Sequence, residues 1–207
     1  MTYTTYIITN QPERIGAVRS SLQPEPLQHF DGSGYPSFAQ LVNACAAAAP
    51  TEKVVIMSDK VLPKASDVAR AVDLLDQGYG FVGLYRFAFF ALTKQLFSHI
   101  GPLDERFRGG GYEDDDYYIR LKEANIAAWI DQSVDYVAGP SGWDYTQGKE
   151  HFVQKWLVAD RTLTRKLAEE HYLYDWGQPL PQKWLPAEDS FIIVAAAIQF
   201  TYGRKIT

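Results

Sequence analysis

Thiol chemistry is nearly absent from this chain: its 207 residues hold a single cysteine, Cys45. An internal disulfide and a multi-cysteine zinc cluster are therefore excluded. Cys45 stands in the alanine-rich stretch ACAAAA, where a small buried residue is expected rather than a nucleophile. Long apolar runs are missing too. The longest, FIIVAAAIQF at 191–200, falls well short of the roughly 20 residues a bilayer requires. The opening MTYTTYIITNQPERIG has no charged start followed by a long apolar segment, so no leader is expected. Internal repeats and low-complexity tracts are lacking as well. Positive charge is in deficit, with 20 Lys and Arg against 25 Asp and Glu, a net charge of -5. That balance disfavours a general nucleic-acid coat while leaving room for a local basic groove. A soluble, cytoplasmic protein is the expectation, in a host cytoplasm if the gene is a phage's.

What is present suits a globular domain: 46% hydrophobic and 22% charged residues, with 13 Tyr and 5 Trp. TTYIIT at 4–9 reads as a buried strand. PERIGAVRSSL follows as a helix opened by Pro12, with Ile15, Val18 and Leu22 on one face. PLQHFDGSGYP is extended and then turns, and SFAQLVNACAAAA is a helix that Ser37 can cap. Val54 to Met57 form a strand whose end delivers Ser58 and Asp59 to a loop. ASDVARAVDLLDQG is a helix closed by Gly78, YGFVGLYRFAFFALT one or two strands, and KQLFSHIG a short helix. Beyond these lie a helix over YYIRLKEANI, a strand over AAWIDQSVDYVAG and a loop over PSGWDYTQGK. A long helix from Glu150, a Gly- and Pro-rich connection and a last helix at 189–203 complete the chain.

Alternating strands and helices predict an α/β fold, a sheet covered by helices. Ligands of such sheets bind beyond the carboxyl ends of the strands. Here those ends carry Thr9 and Asn10, Asp31, and Ser58 and Asp59, so topology alone brings three polar clusters to one edge. A second concentration of charge is GGGYEDDDYYIRL at 109–121, four successive carboxylates behind three glycines. Like charges this close repel, so the run needs a cation, a partner or water. One reading is a solvated helix start, since acids suit a first turn. The other is an active site. A plain calcium loop fits poorly, because the alternating ligands and central glycine of an EF-hand are missing.

The segment HIGPLDERFRGGGYEDDDYYIRLKEANI resembles the acceptor-side segment of inverting GT-A glycosyltransferases of the family 2 type. It carries Ile100-Gly101, Asp104-Glu105-Arg106-Phe107, the glycine turn Gly109 to Gly111, Glu113-Asp114, Asp116 and Arg120 at the family's spacing. SFAQLVNACAAAAPTEKVVIMSDKVLP is similar to the family's helix, connector and metal-binding strand end. The resemblance implies a Rossmann-like, mostly parallel sheet flanked by helices over 1–175, with a nucleotide-sugar half at 1–95 and an acceptor half at 96–175. A C-terminal connection and helix then occupy 176–207.

The implied reaction moves a sugar from a nucleoside-diphosphate donor, UDP by preference, to a hydroxyl. It requires a carboxylate base and a divalent cation, manganese or magnesium. By resemblance the base is Asp114, with Glu113 beside it as fallback. Asp116 and Arg120, one helical turn apart, form a supporting ion pair, and Asp115 is expected to be exposed. Donor contacts fall on Thr9, Asn10, Asp31, Asn43, Ser58 and Lys60; acceptor contacts fall on Asp104, Tyr112 and Trp143, with Trp156 read as core. The metal falls on Asp59, with His151 as a second ligand. Two departures stand out: Met57 replaces the first aspartate of the metal motif, and Val42 replaces an arginine beside Asn43, leaving Lys60 or Arg86 to compensate. Two alternatives stay open. One is the same chemistry on hydroxymethylated bases of phage DNA, through a basic strip of Arg14, Arg19, Lys60 and Lys64. The other is a domain that binds nucleotide or glycan without turnover.

Overall fold

The computed structural model describes residues 3–108, 111–137, 147, 148, 151, 155 and the backbone of 204–206. The expectations for Gly109 and Gly110, Trp143, Trp156, most of the long helix, the Gly- and Pro-rich connection and the helix at 189–203 lie outside the described residues. In chain order the elements begin with β1 (Tyr3–Thr9), a 3-10 turn at Pro12–Arg14 and α1 (Ile15–Ser21). Then come β2 (Gln28–Asp31), α2 (Phe38–Ala48), β3 (Lys53–Ser58), β4 (Val61–Leu62) and α3 (Ala65–Asp76). β5 (Phe81–Phe87), β6 (Phe89–Thr93), α4 (Lys94–Ile100) and α5 (Glu113–Glu123) lead to β7 (Ala128–Ile130), β8 (Asp135–Tyr136) and β9 (Arg204–Ile206).

Seven strands form one sheet in the order β2-β1-β3-β6-β5-β7-β9. β2, β1 and β3 are mutually parallel, and β5 is parallel to β7. β6 runs against both its neighbours, β3 and β5, and β9 runs against β7. The two-residue strands β4 and β8 pair separately. The α/β expectation holds, and the run YGFVGLYRFAFFALT resolves into the hairpin β5–β6. Why it folds back is visible in the register shift between Gly83 and Tyr85 and the turn closed by Ala88 N–H to the Tyr85 carbonyl at 2.9 Å.

Strand side chains alternate, so each face of the sheet collects its own core. Val54 and Ile56 of β3 meet Val42 and Cys45 of α2, Leu96 of α4 and Tyr117, Tyr118 and Leu121 of α5. Val55 and Met57 meet Ile15 and Val18 of α1 and Val68, Ala71 and Leu75 of α3 on the opposite face. The predicted face of α1 is confirmed, with Val18 and Leu22 fully buried. Cys45 is a core residue whose thiol burial pushes up to about 12, which leaves it protonated and inert. Ser37 caps α2 as expected, its Oγ accepting from Gln40 N–H at 3.2 Å. No helix among the described residues is long and apolar enough to cross a membrane.

Candidate active site

Parallel pairing aligns the ends of the first three strands. Thr9 stands opposite Asp31, and Ile8 opposite Ser58, so the polar clusters predicted at Thr9, Asp31 and Ser58–Asp59 do reach one edge. Their local chemistry differs. Thr9 is buried and its Oγ1 accepts from Gln11 N–H at 2.9 Å, while Asn10 beside it is exposed. Asp31, the last residue of β2, is exposed and accepts from Ser33 N–H and Ser33 Oγ, both at 2.9 Å. The Ser33 backbone bond, then the hydroxyl bond, hold its carboxyl below the usual range. Gly32 donates to the Thr9 carbonyl at 3.0 Å, and a Cβ there would come within 3.1 Å of Leu41.

The end of β3 opens into a hollow of about 450 Å³. Ser58 at the end of β3 and Asp59 and Lys60 in the turn after it line the hollow, with Tyr85 and Arg86 from the β5–β6 hairpin and Glu113 and Asp114 from the start of α5. Thus Asp59 and Asp114, 55 positions apart in sequence, face one space. The hairpin is fastened there because Ser58 N–H donates to the Ala88 carbonyl at 2.8 Å. Asp59 is itself paired with Arg14, Oδ2 to Nη1 at 3.3 Å.

The acid run enters this hollow through a sharp reversal. Gly111 has φ 90° and Tyr112 φ 70°, the left-handed region that Gly tolerates and Tyr rarely adopts. From there α5 starts with Asp116 N–H bonded to the Tyr112 carbonyl at 2.9 Å. Asp115 corrects the sequence reading: it is 5% exposed, not open to solvent, because the helix turns it inward onto Arg86. Glu113 and Asp116 are buried as well, at 6% and 0%.

Burial, reinforced by the Asp114 charge, pushes the Glu113 carboxyl up to about 7. Its Oε2 has no hydrogen-bond partner among the described residues. Burial, then Asp114, also raises Asp115 well above the usual carboxylate range, against the pull of Arg86. Burial raises the Tyr112 hydroxyl, with Asp115 and Asp114 adding to it. Arg86 Nη2 reaches Asp114 Oδ2 at 2.8 Å and Asp115 Oδ1 at 3.2 Å. The solvated helix start is therefore replaced by a half-buried cluster with a cation in it.

Deeper in α5 the expected support pair is present. Arg120 Nε lies 3.0 Å from Asp116 Oδ2, and its two terminal nitrogens donate to the carbonyls of Ile100 and Pro102, each at 2.9 Å. Lys155 Nζ adds a contact to Asp116 Oδ1 at 2.6 Å and one to Asp104 Oδ2 at 2.9 Å. Asp104, expected at the acceptor, is enclosed by cations. Burial opposes its ionisation, but bonds from Arg106, Lys155 and His151 outweigh it and hold the carboxyl far below the usual range.

His151 is a second correction. Its Nε2 sits 3.3 Å from that same Asp104 oxygen and its ring stands edge-on to Phe107, so it does not line the hollow with Asp59. Asn43, expected at the donor, grips the loop before α5 instead: Nδ2 donates to the Leu103 carbonyl at 2.9 Å and to Glu105 at 3.0 Å, and Oδ1 accepts from Leu103 N–H at 2.9 Å.

The same geometry tests the donor set for a divalent cation. Met57 is fully buried in the α1/α3 core and offers nothing to the hollow. Among the described residues no three His, Cys, Asp or Glu side chains group closely enough to hold an ion. Asp59 offers one hard carboxylate to the space, a donor set that would suit a cation completed by phosphate oxygens and water rather than a closed protein cage.

No protein-family model and no curated protein matches the chain. Solved structures do. The mannosyltransferase PcManGT from Pyrobaculum calidifontis, in complex with GDP-Man and Mn2+, aligns over 97% of this chain and 70% of its own, with TM-score 0.51 at 13% identity. The chain has the GT-A fold. The Drosophila β1,4-galactosyltransferase 7 catalytic domain with xylobiose also aligns, over 78% of this chain and 81% of its own, with TM-score 0.47 and 16% identity. A mutant of that enzyme with manganese, UDP-Gal and xylobiose aligns over 73% of each chain, with TM-score 0.46 and 13% identity.

Within this GT-A frame, the sequence reading gives Arg86 only as a substitute cation, although a lone charge inside GLYRFAFF already signals a specific partner, and it does not name Tyr85 or Tyr136. Tyr85 and Tyr136 stack face to face, centroids 4.7 Å apart and planes 4° apart, and both line the hollow. Tyr136 arrives through the β4–β8 pairing, with Val137 N–H on the Lys60 carbonyl at 2.7 Å. Nothing local in SVDYVAG announces that.

Proposed function

We propose that this chain is an inverting glycosyltransferase that moves a sugar from a nucleoside-diphosphate donor, UDP in the first instance, to a hydroxyl acceptor. The observation that carries the reading is the shared hollow: Asp59, at the edge where the strand ends gather, and Asp114, at the start of α5, line one space. Lys60 beside Asp59 supplies positive charge for the donor phosphates, and the exposed edges at Asn10 and Asp31 are open to the nucleoside. Tyr112 and the stacked Tyr85–Tyr136 pair offer rings against which an acceptor can lie.

In the proposed step the acceptor oxygen attacks the anomeric carbon as the bond from that carbon to the diphosphate oxygen breaks. The acceptor proton passes to the Asp114 carboxylate, and the nucleoside diphosphate departs with the bonding electrons. A single displacement inverts the anomeric centre. Manganese or magnesium, held by Asp59 and the donor itself, would neutralise charge on the leaving phosphates.

Incubating the protein with UDP-sugars, an acceptor panel and manganese, with product read by mass spectrometry, tests the reading. Asp114→Asn is expected to lower kcat by a factor of about 100 or more with donor affinity near normal. Transfer that persists undiminished in that variant overturns the base assignment. A wild type that neither transfers nor hydrolyses any donor overturns the enzyme reading in favour of a binding domain.

A further inference from the structure

The start of α5 gathers more negative charge than one base requires, and a single guanidinium meets two of its members. We propose that Arg86 is a positioning residue: by pairing with Asp114 and with its buried neighbour Asp115, it holds the Asp114 carboxylate in place and facing the hollow. The meaning of this for catalysis rests on the glycosyl-transfer reading above; the pairing itself rests only on geometry.

The backbone is arranged to aim that side chain. Arg86 has φ 49°, a left-handed conformation rarely adopted by a residue with a Cβ. The bend depends on Gly83, where an added Cβ would come within 2.9 Å of the Arg86 carbonyl oxygen. Hairpin closure through Ala88 N–H and the bond from Ser58 N–H to Ala88 fasten the root of Arg86 to the strand end that presents Asp59. A strained residue kept in place by a glycine and two hydrogen bonds marks a constraint beyond packing.

Charge and burial point the same way. The Arg86, Asp114 and Asp115 side chains are 24%, 20% and 7% exposed, so the pairs are partly shielded from water and stronger than surface ion pairs. Facing the cluster are Glu113 and Asp116 on the same helix, Tyr112 and Tyr118, and Asp59 and Lys60 across the hollow. Burial raises both Glu113 and Asp115; Arg86 acts in the opposite direction on each. Without the guanidinium, Asp114 would confront Glu113 and Asp115 with no other cation among the described residues paired to either Asp114 or Asp115. Adjacent carboxyls in that position share protons, and one able to hydrogen-bond its neighbour turns away from substrate.

The test compares wild type, Arg86→Met and Arg86→Lys, with melting temperatures as a check on folding and Arg86→Gln as a second neutral variant. Carboxyl titrations by carbon-13 NMR, with no substrate present, should move to higher pH for both Glu113 and Asp115 in Arg86→Met. In turnover assays the acidic limb of the kcat profile should move the same way. At the optimum kcat should fall by about 10- to 100-fold with donor KM within about threefold, and Arg86→Lys should restore part of both. Unchanged titrations overturn the proposal, as does a loss confined to donor KM, which would make Arg86 a phosphate contact. Shifted titrations with unchanged kcat also overturn it, leaving a structural ion pair. The titrations need no activity, so a failure of the transfer reading is recognised separately.

Discussion

Glu113 shows most directly how burial ties function to stability in this protein. Its folded-state value of about 7 lies above its ordinary 4.5, so the folded chain holds the proton more tightly than the unfolded one. The stability this confers is complete below about 4.5 and is lost as pH rises through about 7. Glu113→Gln removes the titration while keeping the shape. Its melting temperature should match wild type near pH 4 and exceed it at pH 8, by a difference corresponding to about 1–3 kcal/mol. Asp115, raised for the same first reason, pulls the wild-type curve in the same direction. An equal difference at both pH values would mean that Glu113 is not the buried acid described. The group that costs stability at neutral pH is also the one with an unpartnered oxygen beside Asp114, as expected where a site rather than a core dictates the residue.

Among the elements, α2 is joined to the site's supporting loop by one side chain. Asn43 makes three hydrogen bonds to residues 103–105, the segment that also carries Asp104 into the Lys155 and Arg106 network. Asn43→Ala strands the Leu103 peptide groups. It should cost about 1–3 kcal/mol in chemical denaturation while leaving UDP affinity within about twofold. Normal stability with weakened UDP binding would return Asn43 to the donor site. β1 and β3 were legible as short continuous buried runs, and α2 and α3 because their apolar residues recur at three and four, with Ser37 and Gly78 as punctuation. The antiparallel β6 between β3 and β5 was not, since a wholly apolar run names no partner. The acid run located α5 and the Asp116–Arg120 pair, because both are local in sequence. The burial of Asp115 depends on Arg86, 29 positions earlier, and the position of His151 depends on Asp104, 47 positions away. Helical spacing carries no record of either.

Over the whole molecule the deciding quantity is where positive charge is left to act at long range. The net charge is -5, and much of the cationic charge is answered internally. Arg14 pairs with Asp59, Arg70 with Asp131, Arg106 with Asp104, and Arg120 with Asp116. Of the basic strip that a DNA acceptor would need, Arg14 is thus already engaged and Lys60 faces the hollow. Each phosphate neutralised on a duplex releases counterions and adds about 0.9 to the slope of log affinity against log salt. The expected result with duplex DNA containing hydroxymethylated bases is therefore a slope of magnitude below about 2, with affinity no tighter than ordinary non-specific binding. Equilibrium binding of labelled duplex across a salt series measures it. A slope of about 5 or more would show a charge track along the backbone and make modified DNA the acceptor to pursue. A shallow slope would turn the search for an acceptor to molecules that fit the hollow beside Tyr85 and Tyr136, which ring faces and carboxylates line.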